Sequence, residues 1–248
     1  MIISYLCALY KNLSRSMEDD IQVVFEDNHI IAVNKPAGWL VQGDETGDKP
    51  LSDWVKEYIK KRYGKPGDVY LGVIHRLDRP VSGTVVFART SKALERMNKL
   101  FQDRKVEKTY YAIALHRPDP LNGHLKHYLL KDTTNNTVKA YDRLSNRARE
   151  AKLAELDYEL AAEIGKNFLI KVNPITGRPH QIRVQLSRIG CPIKGDLKYG
   201  APKANEDSSI CLHCANLSFI HPVKNEPVSI DSEFPDSQDW QLFRGVVS

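Results

Sequence analysis

The sequence predicts an α+β protein, and three observations carry that expectation. Apolar and polar residues alternate over many short runs, the period of a half-buried strand, and in three places change to the three-and-four spacing of an amphipathic helix. The two kinds of segment follow one another without the regular strand–helix alternation of a doubly wound sheet. The 248 residues are 42% hydrophobic and 27% charged, an ordinary globular balance with enough chain to bury a full core. Disordered and collagen-like chains are excluded by that composition.

The opening MIISYLCALYKNLSRSMEDD has an apolar run from Ile2 to Tyr10, but no basic residue precedes it and no small-residue cleavage site follows. It therefore does not read as a secretion signal, and it is too short for a spanning helix. Regular patterning starts at Ile21. Residues 1–20 are expected to be a poorly ordered extension, with Met17 a candidate start, and residues 21–248 one domain. The 4 cysteines, Cys7, Cys191, Cys211 and Cys214, are too few and too unevenly spaced for a disulfide framework. They fit a reducing, cytoplasmic setting.

From Ile21 the pattern is legible element by element. IQVVF and HIIAV, separated by a polar EDN, read as a hairpin. NKPAGW breaks it with Pro36 and Gly38 and places Lys35 on a loop. LSDWVKEYIKKRYG puts Leu51, Trp54, Val55, Tyr58 and Ile59 at helical spacing, with Ser52 as cap and Gly64 as stop. VYLGVIHRLD reads as a strand whose alternation sends Ile74, Arg76 and Asp78 to one side and Val73, His75 and Leu77 to the other. The turn DRPVSG and the strand TVVFA follow, then an amphipathic helix over TSKALERMNKLFQDR, with Glu95 and Lys99 an i,i+4 pair. KTYYAIAL is the next strand. KDTTNNTVKAYDRLSNRAREA reads as a polar connection outside the core. AKLAELDYELAAEIGKNFLIKVNP alternates over two strands around EIGKN.

NPITGRPHQIRVQLSRIGCPIKGDLKYG is the most informative stretch. Pro179 suits the first turn of a helix, Ile182, Leu186 and Ile189 form its apolar stripe, and Gly190 ends it. At 100° per residue His180, Arg183 and Ser187 fall within about 60° of one another on a different face. With Arg178 just ahead, this helix start is loaded with donors, where anionic groups bind well.

HRLDRPVSG, KTYYA and TGRPHQIRVQL, followed by CPIKGDLKYG, occur in this order. With the flanking NKPAGWLV and LHCANLSFIHPVKNEPVSI, they resemble the RluA family of RNA pseudouridine synthases from about Ile21 to about Pro235. The resemblance implies that family's fold, a largely antiparallel bent sheet flanked by helices around a central cleft. It implies an enzyme that detaches uracil from ribose in RNA, rotates it and rejoins it through carbon, without metal or cofactor. It assigns the essential carboxylate to Asp78, the tyrosine to Tyr110 and the arginine to Arg183, with Arg76 holding or replacing the flipped base. Lys35, Arg178, His180 and Gln181 are assigned with Arg76 to RNA contact. Val81 stands where many members carry threonine, and the S4 module of many relatives is absent. The implied partner is large-subunit ribosomal RNA first and transfer RNA second, bound as a monomer with no membrane or obligate protein partner.

The chemistry agrees with those residue types. A carboxylate acting at a glycosidic bond must stay ionised in a pocket that excludes water, and burial alone would raise its pKa, so a cation in contact is required. Arg183 is the expected partner, with Asp196 as its structural alternative. A flipped base needs an aromatic face, which Tyr110 supplies. The surplus of 36 Lys and Arg over 31 Asp and Glu, a charge of +5, suits ordinary solubility as well as a polyanionic partner. Lys92, Arg96, Lys99, Arg104, Lys105 and Lys108 are candidates for an RNA path. CLHC at 211–214 fits an alternating strand better than a zinc site. Two other readings remain at this point, a catalytically silent RNA-binding protein and a metal-dependent hydrolase built on His75, Asp78 and His180.

Overall fold

The computed structural model describes residues 21–246; the expectations placed on residues 1–20, with Cys7 and Met17, lie outside the described residues. The opening hairpin pairs β1 (Gln22–Glu26) with β2 (Ile30–Lys35). Helix α1 (Leu51–Arg62) then buries Leu51, Val55 and Ile59 on its inner face. Its cap is Pro50, not Ser52, which lies buried inside the first turn. Pro50 offers no side-chain acceptor, and the carbonyls of Leu40 and Val41 receive the amides of Leu51 and Ser52 instead. Strands β3 (Gly72–Val73) and β4 (Ser82–Ala88) are antiparallel neighbours, and helix α2 (Ser91–Gln102) starts at Thr90, whose hydroxyl accepts the Ala93 amide. In that helix Lys99 pairs with Asp103 at 3.6 Å rather than with Glu95.

Strands β5 (Glu107–Ala114), β6 (Asn122–Asp132), β7 (Thr137–Tyr141), β8 (Lys152–Ile164) and β9 (Asn167–Pro174) follow. The chain closes with helix α3 (Gln181–Arg188), strands β10 (Leu212–Ile220) and β11 (Pro227–Asp231), and the short helix α4 (Gln238–Gln241). The described strands form one sheet in the order β1-β2-β4-β10-β5-β9-β8-β6-β7, with β3 on β4 and β11 on β10. Every pairing is antiparallel except that of β4 with β10. The expected α+β class with a largely antiparallel sheet is what the chain adopts.

Two segments depart from the sequence reading. The expected strand over VYLGVIHRLD stops at Val73, because the His75 ring takes over the ladder and its Nε2 accepts the Val86 amide at 3.0 Å. The remainder, through Asp78, is a loop. The polar stretch 131–151 is not outside the core. Asp132 accepts the amides of Thr134 and Asn135, Asn136 takes a left-handed φ of 46°, and the chain returns as β7 against β6. Val138 is thereby buried with Leu129, Ala154, Val184 and Tyr199 in a second, smaller core.

The single parallel contact, His213 beside Ser82 and Cys214 beside Gly83, brings two strand ends together next to the loop that carries Asp78. Gly83 has φ 118°, and a Cβ there would sit 2.3 Å from the Cys214 carbonyl oxygen, so only glycine permits the approach. His213 donates from Nε2 to the Ser232 carbonyl and accepts from Ser82 at Nδ1. Burial lowers its pKa to about 4, and burial with Lys108 nearby does the same for His75.

Gly83→Ala is expected to cost about 3–4 kcal/mol, combining positive-φ strain with the backbone clash, as read from urea denaturation. The two neutral histidines set an acid limit. Their folded pKa values lie below the unfolded one, so the unfolded chain binds more protons as pH falls from about 6.5 towards 4, and stability declines in that window. Denaturation midpoints across the window should show the decline, and His213→Gln should flatten it.

Candidate active site

Four pieces of chain converge on one cleft of about 130 Å³, room for one small planar ring. The loop before β4 brings Arg76, Leu77, Asp78 and Val81, and β5 brings Lys108 and Tyr110. The segment from the end of β9 into α3 brings Thr176, Gly177, Arg178, His180, Gln181, Ile182 and Arg183, and β10 adds Leu212. The polar groups stand over an apolar floor of Leu77, Val81, Ile182 and Leu212.

Helix α3 is buried along its whole first six residues, Gln181 to Leu186, so its arginine does not face water. Arg183 is 4% exposed and Asp196 1%. Its Nε and Nη2 donate to Asp196 Oδ2 and Oδ1 at 2.6 and 2.8 Å, and its remaining arm, Nη1, donates to Asp78 Oδ2 at 2.9 Å. Both partners foreseen for Arg183 are therefore present at once. The Tyr199 ring lies 5.1 Å from the guanidinium. Burial alone would weaken the charge on Arg183, but the two carboxylates outweigh it and raise its pKa above the ordinary arginine value. Asp78 itself keeps 30% of its side chain exposed, open to a substrate on the side away from Arg183.

Tyr110 lines the cleft, whereas its neighbour Tyr111 turns to the other face and meets Phe234 edge-on at 5.4 Å. Burial, the Cys214 thiol paired with its hydroxyl, and Asp78 together push the Tyr110 pKa well above the ordinary phenol value. It is a protonated phenol with an aromatic face, suited to stacking.

The expected RNA contacts divide. Arg76 is exposed at the rim, and Arg178 and His180 line the wall. Lys35 is corrected. It is not on a loop but ends β2, fully buried, with Nζ donating to the carbonyls of Pro36, Trp39 and Arg79 at 3.0, 2.8 and 3.2 Å. Burial pulls its pKa to about 7 while Asp78 pulls the other way. Lys35 cannot reach RNA; it ties the NKPAGW loop to the peptide next to Asp78. Gln181 is corrected likewise, because its Oε1 accepts from Thr176 Oγ1 and the Arg178 amide while its Nε2 donates to the Glu155 carbonyl. Those bonds shape the loop that carries Arg178 and His180, and Gln181 lines the cleft from there. Pro179 lies just outside α3, since His180 is the cap with a left-handed φ of 50°.

Lys108 stands in the cleft wall rather than along an outer path, and burial lowers its pKa. Thr176 and Tyr199 stand inside the TGRPHQIRVQL and CPIKGDLKYG motifs, but nothing in those motifs assigns either a role here. Among the described residues no three His, Cys, Asp or Glu side chains converge as metal ligands. His75 is committed to the Val86 amide and stacks on Phe101, and the CLHC residues turn to separate partners. Cys211 lies near Asp239, His213 pairs with Ser82 and Cys214 with Tyr110.

Residues 29–188 match the family model described as RNA pseudouridylate synthase. The chain is 30% identical over 240 residues to tRNA pseudouridine synthase C of Vibrio parahaemolyticus, covering 90% of this chain and 93% of that protein. It is 32% identical over 232 residues to ribosomal large subunit pseudouridine synthase D of Zymomonas mobilis, covering 90% and 71%. The solved structure of human RNA pseudouridylate synthase domain containing 4 superposes with a TM-score of 0.73 at 25% identity, covering 96% of this chain and 95% of that one. The chain belongs to the RluA family of RNA pseudouridine synthases.

Replacing Asp196 with asparagine leaves the buried guanidinium with half its countercharge. Asp196→Asn is expected to lose about 3 kcal/mol of stability in urea denaturation, in the range for breaking a buried ion pair.

Proposed function

We propose that this chain converts a uridine to pseudouridine in a structured RNA, with Asp78 acting on the flipped nucleotide. Arg183 holds Asp78 in place, Tyr110 stacks on the base, Arg76 contacts the RNA at the rim, and Arg178 and His180 contact it from the cleft wall. The observation that carries this reading is the 2.9 Å contact between Asp78 and a guanidinium already fixed from behind, in a cleft sized for one ring. A carboxylate so held keeps one position while the base excludes water, so the group acting at the glycosidic bond is preorganised. The reaction breaks the bond from ribose C1′ to N1, forms one from C1′ to C5, and releases the C5 hydrogen to solvent as a proton while N1 takes one up, so the product is an isomer. Large-subunit ribosomal RNA is the first substrate class and transfer RNA the second, with action in the cytoplasm as a single chain. The cleft takes one base, so recognition falls to a stem-loop whose uridine splays out at low cost.

RNA carrying tritium at uracil C5 is expected to release it with the wild-type protein. Asp78→Asn should lower that release by about a thousandfold or more. Comparable release by Asp78→Asn, or RNA binding without release by the wild type, overturns the proposal. Running ribosomal and transfer RNA separately assigns the substrate class.

A further inference from the structure

We infer that Tyr199 is a positioning residue of this reaction: its hydroxyl donates to His180 Nδ1 and so fixes a neutral imidazole whose proton stands on Nε2, presented to the flipped uracil beside Asp78. The inference rests on the function proposed above and adds a group that neither the family match nor the sequence motifs assign.

The hydrogen-bond inventory leaves one arrangement. Tyr199 is 8% exposed. Its oxygen lies 2.9 Å from the Val138 amide nitrogen and 2.7 Å from His180 Nδ1. An amide can only donate, so it occupies a lone pair on the phenol oxygen, and the single phenol proton has Nδ1 as its acceptor. A proton on Nδ1 would instead leave the buried hydroxyl hydrogen with no acceptor among the described residues. Nδ1 is therefore bare, and Nε2 carries the hydrogen. Burial lowers the His180 pKa; Asp78 and Asp196 work against that lowering, and Arg183 and Lys198 add to it. Those four groups are the charged ones that face the ring, and the net direction keeps it neutral.

Nε2 points at Asp78 Oδ2 from 3.8 Å, beyond hydrogen-bond range, so its donor is unspent. Uracil offers carbonyl oxygens on both sides of its ring, and negative charge grows on them as the bond to ribose breaks. A fixed neutral donor on the wall meets that charge without reorganising. The left-handed backbone of His180 is a costly conformation for a residue with a side chain, and such outliers persist where their surroundings dictate them. Tyr199 also presents its ring to Arg183, so one side chain steadies both groups that face Asp78.

Tyr199→Phe separates those two duties, keeping the ring and deleting the hydroxyl. In protein labelled with ¹⁵N at histidine, the His180 signals, assigned by their loss in His180→Gln, should show a bare Nδ1 and a protonated Nε2 at pH 7. A protonated Nδ1 in the wild type overturns the inference, and that spectrum decides the matter even if Tyr199→Phe fails to fold. In tritium release, Tyr199→Phe should lower kcat about tenfold with KM for RNA within about twofold of wild type. An unchanged kcat, or a loss confined to KM, also overturns it. Asp78→Asn on the same RNA keeps the two ideas apart, because its retained release would defeat the proposed function whatever the imidazole does.

Discussion

The structure turns on how one buried guanidinium is shared. Asp196 occupies the Nε–Nη2 edge of Arg183 in a two-pronged contact, which leaves a single arm for Asp78. An arginine paired with Asp78 alone could swing with its long side chain, and the active carboxylate would move with it. Fixing the fork from behind removes that freedom. It also means that three charges lie in or beside the interior and sum to one negative charge, carried where the cleft opens. A buried pair is weak evidence for stability, since desolvation offsets most of the attraction. Its value here is geometric.

Part of what fixes Asp196 and Arg183 lies in the smaller core. Val184 of the same helix turn packs with Leu129, Val138, Ala154 and Tyr199, so the β6–β7 hairpin and β8 form the wall against which α3 is pressed. Gly195, at φ 86°, brings its backbone so close to Ser209 that an added Cβ would lie 2.6 Å from the Ser209 carbonyl oxygen. That close approach sets where Asp196 stands. On the other side of the cleft, Lys35 ties three carbonyls together, one of them Arg79's. Asp78 is thus held from α3 through its side chain and from β2 through the peptide that follows it.

Much of this was legible in the sequence, for reasons that also explain the rest. The alternation that marks β8 and β9 and the apolar spacing of α1 and α2 report burial directly, and burial is what those elements share. Asp78, Tyr110 and Arg183 were found because their motifs recur in order along the chain. Lys35 and Gln181 were misassigned because a polar side chain in a motif looks the same whether it meets a ligand or three backbone carbonyls. Only the fold shows where its hydrogen bonds go. The 131–151 segment was misread for a related reason: its few apolar residues, Val138 among them, are too sparse to signal burial, and turn chemistry at Asp132 and Asn136 decides its path. Tyr199 stands in the CPIKGDLKYG motif, yet its role was not legible because its partners, Val138 and His180, lie 61 and 19 residues away.

The charge surplus acquires meaning only from placement. On α1, Lys56 is paired with Asp53 and Arg62 with Glu26; on α2, Lys99 is paired with Asp103 and Arg96 donates to the Pro222 carbonyl. Those cations are partly spent within the fold. Around the cleft the balance differs, because Arg76, Lys108 and Arg178 line it together with a single half-buried carboxylate, that of Asp78. Such a rim attracts a polyanion, while Asp78 supplies the one carboxylate among the residues that line the cleft. On the function proposed above, phosphates are held at the edge while the neutral base is the part of a nucleotide that enters. The arrangement sorts a nucleotide by its own chemistry, backbone outside and ring inside, before any contact reads which base it is.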